Sequence, residues 1–404
     1  MGRVLLPLTN ETNLGCWSVA EFRRPDLKIT DVKTLVLEYP LSKPVEMSFG
    51  KMFSRINTLI EVETDGGVFG LGETWTNFPP WAADERVLTV EKGLKPILIG
   101  EDPLNISALW EKMYHALMNS HGGKQWGARG PIMQAISGVD IALWDIMGQQ
   151  LDVPIYRLLG GQVATKIPAY ASGLGPQNYE DYVEASLKTG FSAFKLKVGF
   201  GLDSDLNNIK MMRTLIGESS ILAIDANQRW RDASEALSHL RHYVDFNIHF
   251  IEEPVPADQL LDLKRVRQSG MASVAGGENT YGRHGFKDVL VNEALNILQP
   301  DISKTGGFSE CYPICRIADA WGLGYAPHMF GTAVGEAASL HVLASIPHGL
   351  FMEVDANPNP LRTDLLSSSS FRFEDGSFLL TSDRPGLGIT LNMEVVKEYQ
   401  RRPR

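Results

Sequence analysis

From residue 165 onward the chain repeats one unit. Short apolar segments, each followed by a polar, helix-like stretch, start 23 to 28 residues apart: KIPAYASG, FKLKVG, LAIDANQ, HFIEEP, VAGGEN, ILQPDIS, YAPHMF and LFMEVD. Each interval holds one strand and one helix, and eight such strands predict a parallel β/α barrel. A leucine-rich solenoid repeats on a similar scale, but its leucine–asparagine signature is missing. Upstream, ITDVKTLVLEYPL and INTLIEVETDGGVFGLGET alternate apolar and polar residues around a loop, SKPVEMSFGKMFSR, and predict an antiparallel meander. Helical patterns, PLNISALWEKMYHAL and PIMQAISGVDIALWDIMGQQL, follow it, as in an α+β unit. The tail DRPGLGITLNMEVVKEYQRRPR comes after the eighth strand and must pack elsewhere. A chain of 404 residues is too long for one small core, so a large and a smaller domain are expected.

Every segment from the second to the eighth ends near an ionisable residue: Lys195 and Lys197, Asp225, Glu252, Glu278, Asp301, His328 and Glu353. In a β/α barrel the C-terminal strand ends share one face, where active sites lie, so these groups converge on one pocket. A lone Lys-x-Lys reads as a solvated strand face, but seven charged strand ends at equivalent positions do not. Residues i and i+2 face the same side of a strand, so Lys195 with Lys197, and Asp225 with Asn227, point inward together. Glu253 would point the opposite way.

Asp225, Glu252 and Glu278 end three consecutive strands. A set of hard oxygen donors without thiolates suits Mg²⁺ rather than Zn²⁺. Without a metal the three carboxylates repel and their pKa values rise; pairing of these acids to the lysines alone is the competing reading. Asp301 and His328 end neighbouring strands, where the carboxylate can hold one imidazole nitrogen and leave the other to move a proton. His239, His242 and His284 lie between strands and are expected to face solvent.

The net charge of −10 and pI near 5.5 argue against nucleic acid or an anionic membrane as partner, but not against a small anionic substrate. Three cysteines, Cys16, Cys311 and Cys315, make no disulfide framework. The opening MGRVLLPLTNETNLG lacks the apolar run of a signal peptide, and no run of 18 apolar residues occurs, so a cytoplasmic protein without membrane contact is expected.

FKLKVG, DANQ, IEEP, GGEN, QPDISKTGG, PHMF and PGLGI, in that order, resemble the enolase superfamily, and within it the mandelate racemase-like subgroup. A Lys or His base working with Mg²⁺ is an established property of that superfamily, so this pairing rests on the resemblance and not on spacing. The resemblance implies a modified (β/α)₇β TIM barrel with an α+β capping domain: residues 1–130 as the cap, 131–355 as the barrel and 356–404 completing the cap. It implies Asp225, Glu252 and Glu278 as Mg²⁺ ligands and Lys197 as the general base, with Lys195 as its electrostatic partner near the substrate carboxylate. His328, oriented by Asp301, is implied as the acid/base on the opposite face, and Glu353 as a hydrogen-bond partner of the enolic carboxylate.

The chemistry so implied is removal of a proton α to a carboxylate. Lys195 and the metal are expected to depress the Lys197 pKa so that it can act as a base, and a protonated Glu353 is expected to donate to the intermediate. Loss of a β-hydroxyl then gives dehydration of a sugar acid to a 2-keto-3-deoxy acid. Return of a proton on the other face gives a racemase or epimerase. A non-catalytic barrel that binds sugar acids is the reading from another class. Asn227 and Arg229 are candidates for substrate hydroxyls or a distal carboxylate, or else support neighbouring groups. Substrate choice is expected in the cap and at the barrel entry, around Phe49, Phe53, Trp75, Phe78, Trp81 and Trp126, and Lys43, Lys51, Arg55, His121 and Lys124; packing between domains is the alternative for most of them. A homo-oligomer is expected.

Overall fold

The computed structural model describes residues 27–119, 129–177 and 179–401. Cys16, His121, Lys124 and Trp126 lie outside the described residues.

Three antiparallel strands open the fold: β1 (Ile29–Met47), β2 (Gly50–Thr64) and β3 (Phe69–Thr74), in the order β1-β2-β3. The expected meander is present, but SKPVEMSFGKMFSR is not a loop. Both strands run through it, with a register shift between Pro40 and Val45, to a tight turn where Met47 pairs with Gly50. The helix Arg129–Leu151 lies on this sheet and is buried nearly all round, as expected of a helix packed on both sides. Gly70 and Gly72 make the approach possible. A Cβ on them would stand 2.0 Å from the Ala142 carbonyl oxygen and 1.9 Å from that of Gly138.

Eight parallel strands follow: β4 (Lys166–Leu174), β5 (Ala193–Lys197), β6 (Ile221–Asp225), β7 (Ile248–Glu252), β8 (Ser273–Gly276), β9 (Ile297–Leu298), β10 (Gly324–Tyr325) and β11 (Met352–Asp355). They correspond to the eight repeated segments. Neighbours pair in chain order, β11 pairs with β4, and a bridge from Tyr325 to Gly349 closes the ring. Tyr170, Ala193, Ala223, Phe250, Ala275, Ile297 and Ala326 pack together inside it, two aromatics among small side chains, so this level of the barrel is a filled core.

The tail forms β12 (Leu366–Ser369), β13 (Phe371–Glu374), β14 (Ser377–Leu380) and β15 (Ile389–Leu391). The β13–β14 hairpin adds to the start of β4, and β12 pairs with β15. The final helix, Met393–Tyr399, returns to the cap, where Tyr399 meets Tyr39 edge to face at 5.5 Å and the Arg401 amide donates to the Val36 carbonyl (2.8 Å). The architecture is a modified (β/α)₇β TIM barrel under an α+β cap. Among the described residues no helix is long and apolar enough to cross a membrane.

Candidate active site

Strand register assembles the site. Lys197 pairs alongside Asp225, and Asp225 alongside Glu252, so these three groups share one height on adjacent strands. One step deeper, Lys195 Nζ donates to Glu252 Oε2 (2.6 Å) and pairs with Glu353 Oε1 (2.7 Å). Lys197 Nζ donates to Asp225 Oδ2 (2.5 Å) and Asn227 Oδ1 (2.9 Å). The backbone amide of Asn227, in the left-handed region at φ 45°, donates to Asp225 Oδ1 (2.8 Å).

The Asp301–His328 dyad is present: His328 Nδ1 donates to Asp301 Oδ2 (2.6 Å), whose other oxygen accepts from the Ser303 amide and hydroxyl. His328 Nε2 stands 2.7 Å from Glu278 Oε2. Both ring nitrogens thus face carboxylates, an arrangement that favours an imidazolium. Burial alone would lower the His328 pKa, but Glu278 and Asp301 raise it to about 10. Nine of the ten expected site residues meet here. Arg229 stands at the edge, exposed, with its Nε on the Gly199 carbonyl (3.1 Å).

Without a metal, neighbouring charges set the protonation bias of Lys197 and Glu353. Burial and Lys195 pull the Lys197 pKa down, but the Asp225 carboxylate beside it outweighs them and holds it above its ordinary value. Glu353, which burial alone would raise, is held at about 2, chiefly by Lys195 and then His328. Here it takes hydrogen bonds from Ser172 Oγ (2.6 Å) and the Met329 amide (2.9 Å).

The donor set fits a divalent cation. Among the described residues no three His, Cys, Asp or Glu side chains converge as a ready cluster, because Lys197, Lys195 and His328 each hold one of the three expected ligands. Glu252 Oε1 nevertheless lies buried without a hydrogen-bond partner, and Glu252 is pushed up to about 7 by burial and by Asp225. Six carboxyl groups (Asp225, Glu252, Glu253, Glu278, Asp301, Glu353) face four cations (Lys195, Lys197, Lys304, His328).

Several participants escape a strand-end reading. Gln299 Nε2 donates to Glu252 Oε2 (2.6 Å). Ser172 and Tyr170 line the first strand, the one segment without an ionisable end; their i, i+2 spacing was the available signal. Glu253 sits at φ 36° and is turned toward the site, not away: Asn279 Nδ2 donates to it (2.9 Å) and also to Glu278 (3.0 Å). Of the cap candidates, Trp75 meets the His328 ring edge to face at 5.4 Å. Lys43 lines a cleft of about 260 Å³ with Gly173, Gln177 and Asn357. Arg55 is fully buried in an ion pair with Asp355, Lys51 pairs with Glu46 at 2.5 Å, and Phe49 packs edge to face on Phe78. Phe53 and Trp81 are exposed. His242 and His284 face solvent as expected, whereas His239 stacks on Trp230 at 5.0 Å.

A barrel with paired lysines on one strand and a His–Asp dyad across it defines a class, and the sequence carries the same signature. The mandelate racemase/muconate lactonizing enzyme N-terminal domain matches residues 29–160, and the enolase C-terminal domain-like family matches residues 178–395. The chain belongs to the mandelate racemase-like subgroup of the enolase superfamily and is an enzyme of that superfamily.

Its relatives include the D-galactarolactone cycloisomerase of Agrobacterium fabrum, 36% identical over 93% of this chain and 99% of that protein. The arabinonate dehydratase of Saccharolobus solfataricus is 35% identical over 84% of this chain and 89% of that one. Among solved structures, the 3,6-anhydro-D-galactonate cycloisomerase of Zobellia galactanivorans superposes with a TM-score of 0.82 at 30% identity, covering 93% of this chain and 100% of that one. A racemase from Streptomyces coelicolor with bound magnesium gives 0.82 at 28%, covering 92% and 100%.

Proposed function

We propose that this enzyme removes the proton α to the carboxylate of a sugar acid and expels the β-hydroxyl as water, leaving an enol that tautomerises to a 2-keto-3-deoxy acid. The observation that carries the reading is the pairing of Lys197 on β5 with the His328–Asp301 dyad after β10, three strands away around an eight-stranded ring. Two proton-transfer groups on facing walls suit removal of a proton on one side and donation on the other.

Mg²⁺ held by Asp225, Glu252 and Glu278 would supply Lewis acidity toward the substrate carboxylate and draw off the carboxylate charge that otherwise keeps Lys197 protonated. Lys195, buried and cationic, places fixed positive charge beside the developing enolate. A protonated His328 can give its Nε2 proton to the departing hydroxyl, after which Asp301 holds the neutral ring by Nδ1. Asn227 orients Lys197. The relative that is a dehydratase supports loss of water. The two cycloisomerases favour a second reading, in which the β-leaving group is a ring oxygen and the same two residues open a ring.

The test is a screen of sugar mono- and diacids, beginning with D-arabinonate, and of their lactones, for 2-keto acid formation with Mg²⁺. Lys197→Ala and His328→Asn should each abolish product. Wild-type turnover in both variants overturns the assignment, and α-deuterium exchange with inversion at the α-carbon and no keto acid would replace dehydration by racemisation or epimerisation.

A further inference from the structure

The cap segment Glu73-Thr74-Trp75-Thr76-Asn77 runs along the loop that carries His328. Side chains two apart in an extended chain face one side, and here all three touch the same stretch, residues 328–335. Glu73 is fully buried, with no salt-bridge cation among the described residues. It accepts from the Thr332 amide (2.9 Å), the Thr332 hydroxyl (2.6 Å), the Gly335 amide (2.8 Å) and Asn57 Nδ2 (3.0 Å).

Trp75 sets its ring against His328, and its amide donates to the Ser303 carbonyl (3.2 Å), in the residue whose amide and hydroxyl hold Asp301. Asn77 Nδ2 donates to the Phe330 carbonyl, while its Oδ1 accepts from the Ile56 amide (3.1 Å). The loop is shaped to the carboxylate: a Cβ on Gly331 would lie 2.3 Å from Glu73 Oε1, and one on Gly335 2.9 Å from Oε2. Between these anchors Met329 donates its amide to Glu353.

We propose that Glu73 and Asn77 are positioning residues for the reaction: from the cap they fix the loop that aims His328, with Trp75 against its ring. A fully buried carboxylate without a counter-ion is costly to keep. Its donors here come from the backbone and hydroxyl that begin the helix Ala333–Ala344, a site that favours negative charge. The cap thus helps to assemble the proton-transfer apparatus as well as covering it. The inference rests on the assignment of His328 as acid/base.

The experiment uses the full chain labelled with ¹³C at the histidine rings, the His328 signal being identified from its loss in His328→Asn. Glu73→Gln places an amide N–H against the backbone donors, and Asn77→Ala removes the donor to Phe330. In either variant the His328 signal should shift or split while the signal of His239, in the helix Ala233–Leu240 and stacked on Trp230, stays in place. With the acid turned over in the screen, kcat should fall about 10- to 100-fold, as for a small misplacement of a reacting group, and KM should move by less than about threefold. An unmoved His328 signal in both variants overturns the inference, as does equal movement of every histidine, which marks general loosening. If Glu73→Gln does not fold, Asn77→Ala decides alone. Should His328→Asn itself keep wild-type turnover, the functional reading fails, while the resonance still reports whether the cap places the ring.

Discussion

Replacing Arg55 with methionine tests how the cap is seated on the barrel. Arg55, on β2, pairs with Asp355 at the end of β11 and lies 4.2 Å over the Phe330 ring. Asp355 Oδ1 is served by Asn357, whose amide and Nδ2 donate at 3.1 and 2.9 Å, so Oδ2 depends on Arg55. Methionine keeps much of the apolar stem but strands a buried carboxylate. Removing one partner of a buried pair costs about 3–5 kcal/mol, because the remaining charge has neither water nor counter-ion. Urea unfolding followed by tryptophan fluorescence should show that loss. Arg55→Met with Asp355→Leu should recover most of it, since an apolar replacement of both partners is often close to neutral. Two results would refute the reasoning: a single variant within about 0.5 kcal/mol of wild type, or a double variant as unstable as the two single losses added.

Glu252→Gln should weaken Mg²⁺ binding by at least about tenfold, measured by calorimetry; unchanged affinity removes Glu252 from the ligand set. Asp140 is raised to about 7 by burial, against hydrogen bonds from the Ser309 hydroxyl and amide. A carboxyl whose pKa rises on folding stabilises fully below about 3.8 and loses that contribution as pH climbs to 7, by up to about 1.4 kcal/mol per unit. The stability of wild type minus Asp140→Asn should therefore fall between pH 4 and 7, and a difference that rises contradicts it. Gly72→Ala drives a methyl into the Gly138 carbonyl and should cost about 3 kcal/mol or more; a urea midpoint matching wild type would show that the helix can back away.

The barrel was legible because its strands are short, apolar and evenly spaced, and because each ends in a charged residue that a core cannot hold alone. Alternation served while the strand lasted and failed one residue later. Glu252 closes β7 and faces inward as predicted, but Glu253 is already at φ 36° and turns back to the site. Arg55 read as a possible substrate cation because its partner lies 300 residues away. Glu73 gave no signal either. Two of its four donors are backbone amides, of residues 332 and 335, and an amide leaves no mark on the residue type that carries it. The protonation states of Lys197 and Glu353 depend on distances to Asp225 and Lys195, which spacing cannot supply.

The ring closes between segments that leave the ribosome far apart in time. Ala169 on β4 pairs with Met352 on β11, about 180 residues later. At 5–20 residues per second the first barrel strand therefore waits about 10 to 40 seconds for its second neighbour. The outer edge of β1 waits longer still, because its bridge from Leu37 to Gln400 spans about twice that separation. Until then the nascent protein presents two open strand edges, each a template for another chain. Crowded polysomes are where this fold is most exposed to mispairing, and the emergence of the segment around Gln400 is the event that ends the exposure.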